Sequence, residues 1–478
     1  MVRTINKVVK NFLSISFANI SSQILTFLVV AYYARILGSS IFGTISTVQS
    51  IIVYFTMFVM LGLQTYGTRE VSKTEGNIHI IVGNIVLLRT IAFFIGYLVL
   101  IIVTLINKNN SVFNQLLLLY GITLLPSALN LDWVFSGLQE MQYNAVYNVI
   151  KNLVPCVLIF IFLKDKDQFY YIPIFTAIGL AGALAYQVYV FFIKNKFKIS
   201  FKFSGKNFKQ YIVYGYPFMI SGMLAMINSN VDRLVINFTR GSGEAGVYAA
   251  GYNIIMFLTN IITLLFTPIF PLLIKYYHTK EHDKLKKLID NITRIAALIA
   301  LPIFAGGALL SKDIILLLFG QEYIRAYLPF AILMAYILIL FFREIYGYCL
   351  NSWNLEGTYL KIVFASSMVN LVLNLIFTPI YGMNIAASIT VISEVINLTL
   401  MRRSVNRVLS FKVLRNFVKM IIPTLVMSIA IILIKYMGLH LFINIFTAII
   451  VYFVVVIKLN VISISEIKMV LFKKEGSL

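Results

Sequence analysis

The sequence predicts an all-α polytopic membrane protein of about fourteen transmembrane helices, and three observations carry that prediction. Of its 478 residues 60% are hydrophobic and only 12% charged, with a mean hydropathy of +0.89, whereas a soluble domain is nearer half apolar and a quarter charged. Apolar runs of roughly 20 residues recur from end to end, each long enough to cross about 30 Å of hydrocarbon. Lys and Arg gather in alternate connecting segments. Inside hydrocarbon the backbone must satisfy its own hydrogen bonds, so these runs are helices. The alternating signature of a membrane barrel is absent.

In chain order the expected spans are 11–37, 41–66, 79–106, 113–138, 141–163, 169–193, 210–238, 246–274, 291–310, 327–351, 360–379, 384–401, 418–437 and 441–458. The opening residues MVRTINKVVKNFLSISFANI begin like a basic signal peptide. Their apolar part runs on to Leu37 with no small-residue cleavage site, so a retained first span is expected. With the N-terminus in the cytoplasm, about 27 of the 40 Lys and Arg fall in inside segments and about seven in outside loops, which orients the chain with both ends cytoplasmic. The inside set includes Arg3, Lys7 and Lys10, the run KNKFKISFKFSGKNFK, the loop KYYHTKEHDKLKK and the run RRSVNRVLSFKVLRNFVK. That topology, with anionic headgroups alongside, accounts for the net charge of +22 without nucleic acid.

The chain also repeats itself. LGSSIFGTISTVQSII at 37–52 and RGSGEAGVYAAGYNII at 240–255 share Gly38 with Gly241, Ser39 with Ser242 and Gly43 with Gly246. NVIKNL at 148–153 is echoed by NLVLNL at 370–375. Each loop follows the first helix of a six-helix block, which predicts two parallel bundles with the substrate site between them. The expected divisions are 1–200, 201–410, and 411–478 for two further helices and a tail.

Polar residues inside the spans point to that site. Asn19, Ser22, Gln23, Thr26 and Tyr33 form one stripe on the first span; Ser221, Asn228, Ser229 and Asp232 form another on the seventh. Such stripes line hydrated cavities or serve as interhelical glue. Intramembrane charges cost roughly 2.5–3.5 kcal/mol each on the lenient insertion scale. Arg294 and Lys435 lie near helix ends and can snorkel. Arg89, Lys151 and the pair Arg343–Glu344 lie too deep for that, while Asp232, Arg233 and Glu394 add further ionisable groups. Pro268 and Pro271, in TPIFP, mark a hinge in the eighth span.

Enzyme chemistry finds no foothold. The four His map to loops or span ends without ligand spacing, Cys156 and Cys349 sit apart in apolar runs, and no nucleophile elbow or phosphate loop occurs. Neither a catalytic residue, a metal nor a cofactor is expected. Trp133 and Trp353 read as interfacial anchors.

DWVFSGLQEMQY at 132–143 resembles the Asp-Trp-x-x-x-Gly-x-x-x-Met stretch of bacterial polysaccharide flippases, although Ser136 stands where many relatives carry Gln. NLVLNLIFTPIYGMNIAASITVISEVINL at 370–398 is similar to their eleventh and twelfth spans, with Asn370, Asn374, Pro379, Tyr381, Gly382 and Glu394 in register; ARILGSSIFG at 34–43 resembles their first outside loop. The resemblance covers nearly the whole chain. It implies twelve core helices in two bundles, often with two more, in the superfamily that also holds multidrug extrusion carriers and peptidoglycan-precursor flippases. It implies an undecaprenyl-diphosphate-linked glycan as cargo in a bacterial plasma membrane, with membrane lipids, a polysaccharide polymerase and chain-length proteins as partners. Arg89, Lys151 and Arg343 would hold the diphosphate, with Glu344 tempering the field and Asn19, Gln23, Asn228, Asp232 and Arg233 lining the cavity. A drug–cation antiporter would favour acidic deep charges over these basic ones. A membrane glycosyltransferase or polymerase would generally need large outside loops or an acidic catalytic motif.

Overall fold

A computed structural model describes residues 2–73, 78–107, 111–200, 205–411 and 413–459, with side chains from residue 22 onward except 205–207, 225, 228, 264 and 414. The side chains of Asn19 and Asn228, the loop around Lys202 and the tail beyond residue 459 lie outside the described residues. Every regular element among the described residues is helical. Eleven helices are long and apolar enough to cross a membrane, or twelve if one bent pair counts as a single span. The chain is a multi-pass membrane protein.

Two compact units form, Met1–Phe257 with Asn370–Met383, and Leu258–Val369 with Asn384–Leu478. They cut across the sequence blocks 1–200 and 201–410, because compactness follows which helices touch and not chain order. In the first unit, α1 (Val2–Met60) holds two apolar runs separated at Gly38, whose φ of 75° only glycine adopts readily. It therefore counts once where the sequence shows two spans. α2 (Leu63–Lys73) follows a break at Leu61 and Gly62, both at positive φ. Next come α3 (Ile78–Ile106), α4 (Ser111–Gly121), α5 (Leu124–Leu129), α6 (Asp132–Gly137), α7 (Met141–Phe162) and α8 (Tyr171–Tyr189).

The span α4–α6 is interrupted at Asn130–Leu131 because side chains take its backbone donors. Asp132 N–H donates to Asn130 Oδ1 at 2.8 Å, and Leu131 N–H to Gln187 Oε1 at 3.0 Å. This is the local competition by which Asn ends helices. α9 (Gly205–Arg240) bends by 60° between Phe208–Leu224 and Ser229–Arg240. Gly241, at φ 95°, separates it from α10 (Ser242–Phe266). Gly38 and Gly241, paired by the sequence echo, thus both adopt a positive φ.

The second unit holds α11 (Phe270–His278), α12 (His282–Leu309), α13 (Ser311–Phe319) and α14 (Tyr327–Ser352). α15 (Glu356–Tyr381), which passes into the first unit from Asn370 on, and α16 (Met383–Asn406) follow, then α17 (Val413–Lys419), α18 (Ile421–Tyr436) and α19 (Leu441–Lys458). At 16 residues α18 is shorter than the other candidate spans. With the single count for α1, that separates the structural tally from the expected fourteen. Lys435 on α18 pairs with Asp313 at 2.7 Å.

The two Trp are not interfacial anchors, since Trp133 is 1% and Trp353 2% exposed. Trp133 packs over Gly67, where a Cβ would run into the indole, and Trp353 stacks on Tyr277 with ring centroids 5.1 Å apart. Both are core residues, because only a buried slot matches so large an apolar surface.

Candidate functional site

In the first unit the DWVFSGLQEMQY stretch builds a polar node. Asn130 Nδ2 donates to Asp132 Oδ2 at 3.0 Å, Gln187 donates to Asp132 Oδ1, and Trp133 Nε1 donates to Asn130 O at 3.2 Å. Asn144 Nδ2 bonds both Asp132 O at 2.8 Å and Ser136 Oγ at 3.0 Å. The conspicuous sequence motif therefore holds a broken helix together. Gly137 allows the close approach, since a Cβ there would lie 2.8 Å from the Val71 side chain.

Two of the predicted cations face this node. Arg89, on α3, is 0% exposed and lies over the Trp133 ring at 5.8 Å. Lys151, on α7, is half-buried over the Tyr147 ring at 5.6 Å. Both interact electrostatically with Asp132. Two cations from two helices are thereby brought near one carboxylate on a third. Arg89 Nε and Nη2 are buried without a hydrogen-bond partner among the described residues. Each such unsatisfied donor in low dielectric carries its full desolvation cost.

A second node lies on α9. Asp232 is 1% exposed, and its carboxylate accepts a hydrogen bond from Tyr248 OH of α10. Arg233 turns the other way: Nη2 bonds Ser229 O at 3.1 Å and Asn230 Oδ1 at 2.6 Å, with its guanidinium 5.1 Å over Tyr252. Its Nε also lacks a partner. Of the stripe on α1, Ser22 and Tyr33 are buried, Thr26 is exposed, and Gln23 Oε1 is buried without a partner. A polar ladder on α15 went unread beyond its family likeness. Asn374 Nδ2 bonds Asn370 Oδ1 at 3.2 Å, and Thr378 Oγ1 bonds Asn374 Oδ1 at 2.8 Å, all three side chains being buried. Its i, i+4 spacing was the available signal.

In the second unit Arg343 is held by two carboxylates. Nη1 lies 2.8 Å from Glu344 Oε1 and Nε 2.6 Å from Glu394 Oε1 of α16. The sequence placed all three residues inside apolar spans; their pairing across helices needed the fold. Pro268 lies in a 3₁₀ turn, Thr267–Ile269, that separates α10 from α11, and Pro271 starts α11. Beneath this break Tyr348 packs on Phe266 and Phe270 at 5.6 and 5.9 Å, beside a small apolar void lined by Leu273, Ile289 and Ile345. The predicted residues thus divide between units: Arg89, Lys151, Gln23, Asp232 and Arg233 in the first, Arg343, Glu344, Pro268 and Pro271 in the second.

Two family profiles match the chain: that described as polysaccharide biosynthesis protein over residues 8–277, and that described as lipid II flippase over residues 144–453. A candidate O-antigen transporter of Escherichia coli (strain K12) is 22% identical over 382 residues, 78% of this chain and 90% of its own. One from Shigella dysenteriae is 22% identical over 320 residues, 66% and 78% of the two chains. Among solved structures, a lipid II flippase in an inward closed conformation superposes with a TM-score of 0.77 at 15% identity, covering 92% of this chain and 97% of that one. An inward-facing multidrug resistance transporter gives 0.69 at 13% identity, covering 80% and 95%.

Proposed function

The chain belongs to the polysaccharide biosynthesis protein family, and from that membership we propose that it flips a lipid-linked oligosaccharide across the bacterial plasma membrane by alternating access. The cargo is an undecaprenyl-diphosphate-linked repeat unit for capsule, exopolysaccharide or O-antigen. Its polyprenyl tail stays in lipid while sugars and two phosphates cross, so the carrier must replace their water with polar groups and offset their charge. The observation that carries this reading is the buried guanidinium of Arg89, whose Nε and Nη2 find no hydrogen-bond partner among the described residues, as does Nε of Arg233. Such donors suit phosphate oxygens, which guanidinium can bind bidentately. A drug–cation carrier has no use for them.

In this reading the carrier is non-hydrolytic and hands its product to a polymerase and chain-length proteins at the outer face. Fourteen spans, with both termini cytoplasmic, follow from counting α1 as two and α18 as one. The two bundles are parallel repeats; the shared positive φ of Gly38 and Gly241 supports this. Complementation tests the function. In a strain lacking its own repeat-unit flippase, with a matched glycan, expression should restore surface polysaccharide and clear the lipid-linked precursor from the inner leaflet. Drug resistance without glycan export would overturn the proposal.

A further inference from the structure

The charge cluster of the second unit does not balance. Arg343 and Glu344 lie in the C-terminal half of α14, and Glu394 lies midway along the 24-residue α16. One guanidinium faces two carboxylates, leaving −1 when all three are ionised. Their side chains are 16%, 17% and 7% exposed, too little for water to screen an excess charge in low dielectric. Among the described residues the other ionisable groups that interact with the cluster are Tyr336 and Tyr348 on α14 and Tyr359 on α15, none of which supplies a positive charge.

The two carboxylates are not equivalent. Glu394 receives Arg343 Nε on Oε1 and Asn397 Nδ2, at 3.3 Å, on Oε2; Asn397 is itself fixed by Ser366, whose Oγ donates to Asn397 Oδ1 at 2.7 Å. Glu344 is met only by Arg343 Nη1 among the described residues, on one oxygen. Its other oxygen is free to take a hydrogen.

We infer that this cluster binds one exchangeable proton, carried by Glu344. Hydronium at the exposed edge gives its proton to a Glu344 oxygen; one O–H bond forms, water leaves, and the cluster becomes neutral. Arg343 then belongs to Glu394 alone, so protonation tightens the tie between α14 and α16 and deprotonation slackens it. A metal ion fits poorly, because Glu394 is already committed to Arg343 and Asn397, and the described residues hold no group of three acidic, His or Cys ligands. Coupling of that proton to cargo movement rests on the flippase reading; the proton itself does not.

The test therefore uses no glycan. Full-length protein is reconstituted in phosphatidylethanolamine–phosphatidylglycerol vesicles, and infrared difference spectra are taken between acidic and alkaline samples in sodium-free choline buffer. The wild type should show a protonated-carboxyl band that disappears as pH rises. Glu344→Gln should remove it. Glu394→Gln, which leaves Glu344 in sole possession of Arg343, should keep the band but move its midpoint to lower pH by about one unit or more. Glu344→Asp should shift the band's frequency, and it serves if the Gln variant does not fold. A band unchanged by Glu344→Gln or by Glu344→Asp overturns the assignment. So does a midpoint that moves when sodium replaces choline, since that is the mark of a competing metal cation. Failure here leaves the flippase reading standing, and failed complementation leaves this proton standing.

Discussion

Gly43 and Gly246 pack backbone against backbone. A methyl group on Gly43 would lie 2.6 Å from Gly246 N, and one on Gly246 would lie 2.9 Å from Gly43 N. The contact is reciprocal between the two glycines that the sequence echo pairs. Ser40 Oγ and Ser242 Oγ meet beside it at 3.0 Å. A matching crossing closes the far end of the same run: a methyl on Gly62 would lie 2.5 Å from Met219 N, and one on Gly215 2.9 Å from Leu63 Cδ2. Glycine is required at both because any side chain would hold the helices apart.

The first crossing can be locked. With Cys156 and Cys349 replaced, Ser40→Cys with Ser242→Cys should cross-link under mild oxidation, since the two oxygens already sit close. Transport should fall at least about tenfold on oxidation and return on reduction, the expected response of a contact that must open in every alternating-access cycle. A cross-linked protein that transports at the normal rate would show that this contact stays closed throughout.

Arg89 and Arg343 should answer differently to the same substitution. Arg343→Ala strands Glu394 and Glu344 as buried charges, a loss on the order of 3–5 kcal/mol, so folded protein should drop. Arg343→Glu combined with Glu394→Arg should recover part of it. Arg89→Ala removes a cation whose Nε and Nη2 have no partner, so protein levels should stay near normal while transport falls, with Arg89→Lys intermediate. Membrane abundance and complementation, measured side by side, separate the two. Normal transport by Arg89→Ala would remove it from the diphosphate site.

That contrast shows where the sequence was informative. Hydropathy located the apolar runs because bilayer thickness imposes one length on every span, and the glycine echo at 38 and 241 marked two positions that both adopt a positive φ. Ionisable residues inside apolar runs were equally legible, so Arg89, Lys151, Arg343 and Glu394 could be singled out. Azimuth and partner were not. Whether Arg343 meets a carboxylate 51 residues away, or Asp232 a tyrosine on the next helix, depends on which faces pack. Trp133 misled for a related reason: an aromatic near a span end can anchor at the interface or fill a slot, and only the neighbouring Gly67 decides.

Sidedness is open to a direct check. The Lys and Arg asymmetry predicts that positions 202, 283 and 476 face the cytoplasm. Single cysteines there, in a chain lacking Cys156 and Cys349, should resist an impermeant thiol reagent in intact cells and react after permeabilisation. Ready labelling of any of them in intact cells would require a different number of spans before it.

The last prediction concerns the break between α10 and α11. Pro268 and Pro271 lie one turn apart, and neither can donate a backbone hydrogen bond. The helix gives way to a 3₁₀ turn there. The offset of 203 makes Thr65 and Thr68 their counterparts, and that half breaks instead at Leu61–Gly62, one turn earlier, through positive φ. One break is made by glycine and the other by proline. Tyr348 packs under the proline break, on Phe266 and Phe270. Pro268→Ala with Pro271→Ala restores two helix donors and removes the steric block, so α10 and α11 should tend towards one continuous helix. Protein abundance and thermal stability should hold or rise slightly, while transport slows several-fold, because the bend is worth having only if it changes during the cycle. Unchanged transport would make the break a fixed feature of the packing.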